Sequence, residues 1–167
     1  MKKARAPVTE PLPHAPLGMV LGLLDHLREA SGGREDLYKL GGPLGLELDD
    51  LLPVTEAAKR LGLVTIASGD IELTDEGRAL AAAEEPARKK RLARRLQALP
   101  LLAEIRQALD KAEGSRVPRE VFLASLRDHF SAREAKRQLQ TALDWARYGE
   151  VFDFDPDSEE FFLAPRE

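Results

Sequence analysis

Between residues 48 and 78 the spacing of apolar residues switches from helical to alternating and back. Leu48, Leu51, Leu52, Ala58 and Leu61 share one helical face, and Gly62 stands where a helix-ending glycine belongs. Leu63-Val64-Thr65-Ile66 predicts a short strand, Ser68-Gly69-Asp70 a turn, and Ile71-Glu72-Leu73 the return strand. Thr74 occupies an N-cap position, and Asp75 and Glu76 suit the positive end of the next helix dipole. A helix, a tight hairpin and a helix in so few residues leave no room for a large sheet. They define a small, mainly helical unit with a hairpin on its edge.

The flanking segments extend this unit. Leu17, Val20, Leu21, Leu24 and Leu27 follow the i, i+3, i+4, i+7 spacing of an amphipathic helix, ended by Ser31-Gly32-Gly33. A short helical segment is predicted over 36–40, followed by a turn at Gly41-Gly42-Pro43. After Glu84-Glu85-Pro86 a long helical stretch is split by Pro100 into two helices, about 86–98 and 100–112, with stripes Leu92, Leu96, Leu99 and Leu102, Ile105, Leu109. The last third repeats the design. A helix from Pro118 carries Val121, Phe122, Leu126 and Phe130; Ser131 with Glu134 forms a capping box for a longer helix with Leu139, Leu143 and Ala146 inward. Residues 148–154 and 160–163 then read as a hairpin around Asp155-Pro156-Asp157-Ser158, and Trp145 just before it reads as core. The expected fold is mainly α with small β-hairpin wings: tandem winged helix-turn-helix units joined by a helical pair. The expected divisions are a flexible tail 1–15, a first unit 16–85, a connector 86–114 and a second unit 115–167.

The chain of 167 residues has no cysteine, which removes disulfides, thiolate metal sites and cysteine nucleophiles. The histidines at 14, 26 and 129 are scattered, so no metal site is expected. No phosphate-binding Gly-x-x-x-x-Gly-Lys-Ser/Thr loop, Gly-x-Ser-x-Gly elbow or His-Glu-x-x-His occurs. Asp153-x-Asp155-x-Asp157 starts like a calcium loop, but Ser158 and Ala164 stand where Gly and Glu are required. No catalytic residue and no cofactor are expected. The apolar run Leu17–Leu24 falls short of the ~20 residues needed to cross a bilayer, and the proline-broken start lacks a signal-peptide core, so a cytoplasmic protein without membrane insertion is expected.

Charge is unevenly placed. Residues 86–147 hold 15 basic and 7 acidic groups, net +8, between flanks of −6 each. The densest run is Arg88, Lys89, Lys90, Arg91, Arg94 and Arg95; it reads first as a solvated helix face and second as a phosphate-binding face. Arg133, Lys136 and Arg137, with Gln138 and Gln140, make the helix starting near 131 the better DNA-reading candidate. The acidic hairpin after it, Asp153 to Glu160, opposes a duplex, and the 48–61 helix begins with Asp49 and Asp50. The candidate partner or nucleic-acid residues are therefore Arg88, Lys89, Arg91, Arg94, Arg95, Arg133, Lys136 and Arg137.

Several segments in order resemble one family. They are residues 17–27, Asp36-Leu-Tyr-Lys-Leu40, Leu48-Asp-Asp-Leu-Leu-Pro-Val-Thr-Glu-Ala-Ala58, Gly69-Asp-Ile-Glu-Leu-Thr-Asp-Glu-Gly-Arg78, Leu99-Pro-Leu-Leu-Ala-Glu-Ile105 and Trp145-Ala-Arg-Tyr-Gly-Glu-Val-Phe-Asp-Phe154. Together they resemble the AAA-associated C-terminal domain that follows the ATP-binding subunit of nitrate/sulfonate/taurine-type ABC transporters. Relative to that family's corner motif, Ala146 and Gly149 are exchanged. The ATPase half is not in this sequence, so the resemblance carries no ATP hydrolysis, and Met1 with its polar start favours a stand-alone protein over a fragment. It implies a non-enzymatic accessory or regulatory module acting by protein–protein interaction. The expected partner is an ABC transporter ATPase subunit or a second copy in a homodimer. The alternative is a winged-helix DNA-binding regulator.

Overall fold

Apolar spacing, caps and glycines set the elements of the computed structural model, which describes residues 10–164. Two compact units form: Pro13–Arg95, and the residues from Leu96 on together with Leu12. Both are mainly helical, with eight α-helices among the described residues, and each carries one three-stranded antiparallel sheet.

In the first unit, α1 (Leu17–Glu29) buries the predicted stripe of Leu17, Val20, Leu21, Leu24 and Leu27. A turn with Gly32 at φ 70° leads into β1 (Arg34–Asp36), the one-turn α2 (Gly41–Leu44) and α3 (Leu48–Arg60). Of the apolar face expected on α3, Leu51, Ala58 and the capping Leu61 are buried, whereas Leu48 and Leu52 are exposed and Val54 takes an inward place. Gly62, at φ 74°, turns the chain so that the Leu63 N–H reaches the Ala58 carbonyl at 3.0 Å. β2 (Val64–Ala67) and β3 (Asp70–Leu73) follow as predicted, with β3 central between β1 and β2. The Thr74 hydroxyl accepts from the Gly77 N–H at 3.0 Å and donates to the Gly62 carbonyl at 2.7 Å, tying α4 (Asp75–Ala82) to the end of α3. Next comes α5 (Ala87–Gln97).

The second unit repeats this order. α6 (Pro100–Lys111) starts at the proline and buries Leu101, Leu102, Ile105 and Leu109. A turn with Gly114 at φ 72° leads into β4 (Arg116–Pro118), α7 (Arg119–Arg127) and α8 (Ala132–Tyr148). On α7, Leu123 is buried and Val121 is exposed, the reverse of the expected emphasis. Ser131 caps α8 by accepting from the Glu134 N–H at 3.1 Å. The helix runs through Tyr148, so the strand expected from 148 begins only at β5 (Asp153–Asp155); β6 (Glu160–Phe162) pairs with both β5 and β4. The core is aromatic around Phe161, whose ring meets Phe122 at 5.5 Å, Phe152 at 5.8 Å and Phe154 at 5.0 Å. Trp145 is buried as predicted.

β1 and β4 were not visible as strands by spacing. They occupy matching places: Arg34 opposes Glu72 and Glu35 opposes Ile71 in one sheet, and Arg116 opposes Phe162 and Val117 opposes Phe161 in the other. Of the tail expected over 1–15, residues 1–9 lie outside the described residues, and Leu12 and Ala15 are buried.

Candidate functional site

The basic run on α5 is largely engaged within its own unit. Arg88 reaches Asp25 of α1 at 3.0 Å, Arg91 lies 3.5 Å from Glu76 of α4, and the Arg95 Nε donates to the Leu61 carbonyl at 2.7 Å. The Leu61 carbonyl belongs to the last turn of α3, where a cation also meets the negative end of the helix dipole. Leu92 is buried between these anchors, Lys89 is half-buried, and Lys90 and Arg94 are exposed. The run is therefore a docking strip for α5 whose outward remainder is two cations, not six.

In the second unit α8 displays Arg133, Lys136, Arg137 and Gln140 to solvent, and none of the three cations has an ion-pair partner among the described residues. Gln138 departs from its expected role. It is fully buried; its amide oxygen accepts from the Leu12 N–H at 2.6 Å, and its amide nitrogen donates to the Leu12 carbonyl at 3.1 Å and to Glu134 at 2.9 Å. Such a two-way clasp satisfies a buried amide and the chain entering at Leu12 at once.

The acidic hairpin is not bare either. Arg116 contacts Asp155 at 2.7 Å and Glu160 at 3.1 Å, Arg119 contacts Glu159 at 2.7 Å, and the Arg147 Nε donates to Asp153 at 2.6 Å. Arg116 also lies over the Phe162 ring and Arg119 over the Phe154 ring, at 5.1 and 5.5 Å. Partial burial pushes the Asp153 carboxyl up, but the Arg147 hydrogen bond and the Phe154 N–H together hold it below its ordinary 3.8. Asp155 is lowered chiefly by the Asp157 N–H, against burial, with Arg116 and Ser158 adding to the effect.

Both depressed carboxylates contribute stability that is complete above the unfolded value and lost as pH falls through the lower folded value. We expect the urea midpoint of the second unit, followed by the fluorescence of Trp145, to fall from about pH 4 downward. The Asp153→Asn variant should show a shallower decline. Parallel declines in the two proteins would remove Asp153 from this account.

Between α7, α8 and the β5–β6 hairpin lies a groove of about 290 Å³. Leu123, Leu139, Leu143, Phe154 and Phe161 form its apolar floor, and Arg119, Lys136 and Gln140 its polar mouth. Sequence reading found Lys136 and Gln140 as helix-face residues but missed Arg119, because it lies at the start of another helix. Among the described residues no group of three His, Asp or Glu side chains could hold a metal ion, and no helix is long and apolar enough to cross a membrane.

The molecule thus belongs to the class of mainly helical proteins built of small units with three-stranded sheets, displaying charged helices and a mixed groove. The model of the C-terminal AAA-associated domain family matches residues 38–155, most of the chain, and the chain belongs to that family. No curated protein and no solved structure matches it.

Proposed function

We propose that the chain is a non-enzymatic accessory module that docks on a protein partner, namely the ATP-binding subunit of an ABC transporter. The family membership supports the partner class. Each unit is read as a winged helix-turn-helix. This reading is supported by the order helix, strand, helix, helix, hairpin in both, with the hairpin's second strand central in each sheet.

The carrying observation is the outward face of α3. In a winged helix this is the helix that would enter a DNA groove. Here it presents Leu48 and Leu52, 49% and 43% exposed and one turn apart, beside exposed Asp49 and Asp50. Such a face repels phosphates and gains by covering its leucines with protein. We expect the tagged full chain to retain an ATP-binding subunit of the transporter type named above. Leu48→Glu combined with Leu52→Glu should weaken that retention by about tenfold or more, roughly 1.4 kcal/mol. A monomer that neither retains the subunit nor alters its ATP turnover would refute the proposal.

A second reading rests on Arg133, Lys136 and Arg137 of α8, exposed in a unit whose hairpin acids Asp153, Asp155, Glu159 and Glu160 are engaged by arginines. It predicts DNA retention that falls steeply with salt. Against it, residues 96–167 carry 10 basic and 14 acidic groups.

A further inference from the structure

The two units share one frame, and that frame allows a residue-by-residue comparison of the groove. The Leu37 N–H donates to the Gly69 carbonyl at 2.8 Å, and the Arg119 N–H donates to the Glu159 carbonyl at 2.9 Å; each lies three residues beyond the matching arginine of β1 or β4. Both long helices end in the same turn, Leu63 N–H to Ala58 carbonyl and Val151 N–H to Ala146 carbonyl. Counting back from those turns, Lys136 matches Leu48 and Gln140 matches Leu52.

All three polar residues at the mouth of the groove therefore stand where the first unit has leucine. The fold itself accepts leucine at every one of these positions, so their polarity is not a requirement of the frame. In the second unit Lys136 is exposed without an ion-pair partner among the described residues. Arg119 gives one nitrogen to Glu159 and lies over Phe154, leaving other guanidinium donors available. Gln140 donates one amide hydrogen to Asp144. Below them the floor is leucine and phenylalanine. Cationic donors above an apolar floor match a ligand with a negative head and a hydrocarbon body.

We propose that this groove binds a small organic carboxylate with a short apolar chain, its carboxylate held by Lys136 and Arg119 and its chain lying against Leu139, Phe154 and Phe161. A volume of about 290 Å³ is at the small end for ligand sites, which favours a medium-chain acid over a larger molecule. Glu159, the ion-pair partner of Arg119, is a carboxylate the ligand competes with, and it is well exposed to solvent. The site is independent of the α3 docking face, so either proposal can fail alone.

The test is a nitrogen-15 NMR titration of the full chain with octanoate, with octylammonium as the cationic counterpart of the same chain length. We expect saturable shifts around α7, α8 and the hairpin with a Kd on the order of 1 mM. Octylammonium should bind at least about tenfold more weakly. Lys136→Leu with Gln140→Leu copies the first unit and should keep the fold while weakening octanoate by about tenfold; Lys136→Ala, a change at an exposed position, should weaken it in the same direction. Absence of saturable shifts, equal affinity for the two head groups, or unchanged octanoate binding in both variants would overturn the proposal.

Discussion

Replacing Trp145 by alanine is expected to remove about 3–5 kcal/mol from the second unit, the range for emptying a large buried aromatic site. The indole is 1% exposed on α8 and is among the largest fully buried side chains, so its removal leaves a large void in the interior of the unit. Domain stabilities are of order 5–15 kcal/mol, so such a loss is expected to leave the unit partly unfolded near physiological temperature. Amide hydrogen exchange on α8 and β6 measures it without the tryptophan signal. A change in opening free energy under about 1 kcal/mol would show that the site is less packed than its burial implies.

The second large effect has a sign that helix propensity alone would get wrong. Gly77 sits in the first turn of α4, where alanine is ordinarily better by about 0.8–1 kcal/mol. An added Cβ there, however, would lie 2.0 Å from the Leu63 carbonyl oxygen and 2.9 Å from its carbon. That carbonyl already accepts from the Thr74 N–H, and the Gly77 N–H is bound to the Thr74 hydroxyl. Neither strand nor helix can retreat without breaking the cap. We expect Gly77→Ala to destabilise the first unit by about 2 kcal/mol or more, the upper part of the range for overpacking. Gly22→Ala in α1, where an added Cβ meets nothing within 4 Å, should instead stabilise by about 0.5–1 kcal/mol. Thermal unfolding followed by circular dichroism compares the two, and a stabilised Gly77→Ala would refute the close approach.

How far the sequence was legible can be judged element by element. The stripe of α1, the Gly62 and Thr74 boundaries, the β2–β3 hairpin, the break at Pro100 and the Ser131 cap all depend on residues within a turn or two of each other, and each was read in place. β1 and β4 were missed because three residues show no period and their partners lie far along the chain, Arg34 against Glu72 and Arg116 against Phe162. One signal was there: Ala30-Ser-Gly-Gly-Arg34 and Ala112-Glu-Gly-Ser-Arg116 are the same turn, with Gly32 and Gly114 both at positive φ before a strand-starting arginine. The site was less legible. Gln138 looked like a surface reader beside Arg137 and is instead clasped to Leu12; Leu48 and Leu52 looked like core and lie outside.

By itself, then, the sequence determined the Gly62 and Thr74 boundaries, the helix start at Pro100 and the Ser131 cap, the family to which the chain belongs, and the lack of any recognisable catalytic motif, whereas the turn expected at Gly41-Gly42-Pro43 is the helix α2. These follow from local spacing and from residue types whose backbone preferences act over one turn. Only the tertiary structure decided that Arg88, Arg91 and Arg95 are spent on holding α5, that Asp153, Asp155, Glu159 and Glu160 of the hairpin are met by Arg147, Arg116 and Arg119, and that Arg119 joins Lys136 and Gln140 over one apolar floor. A charge on a helix has no fixed role until the element opposite supplies its partner or leaves it to water, and which element that is depends on contacts distant in sequence.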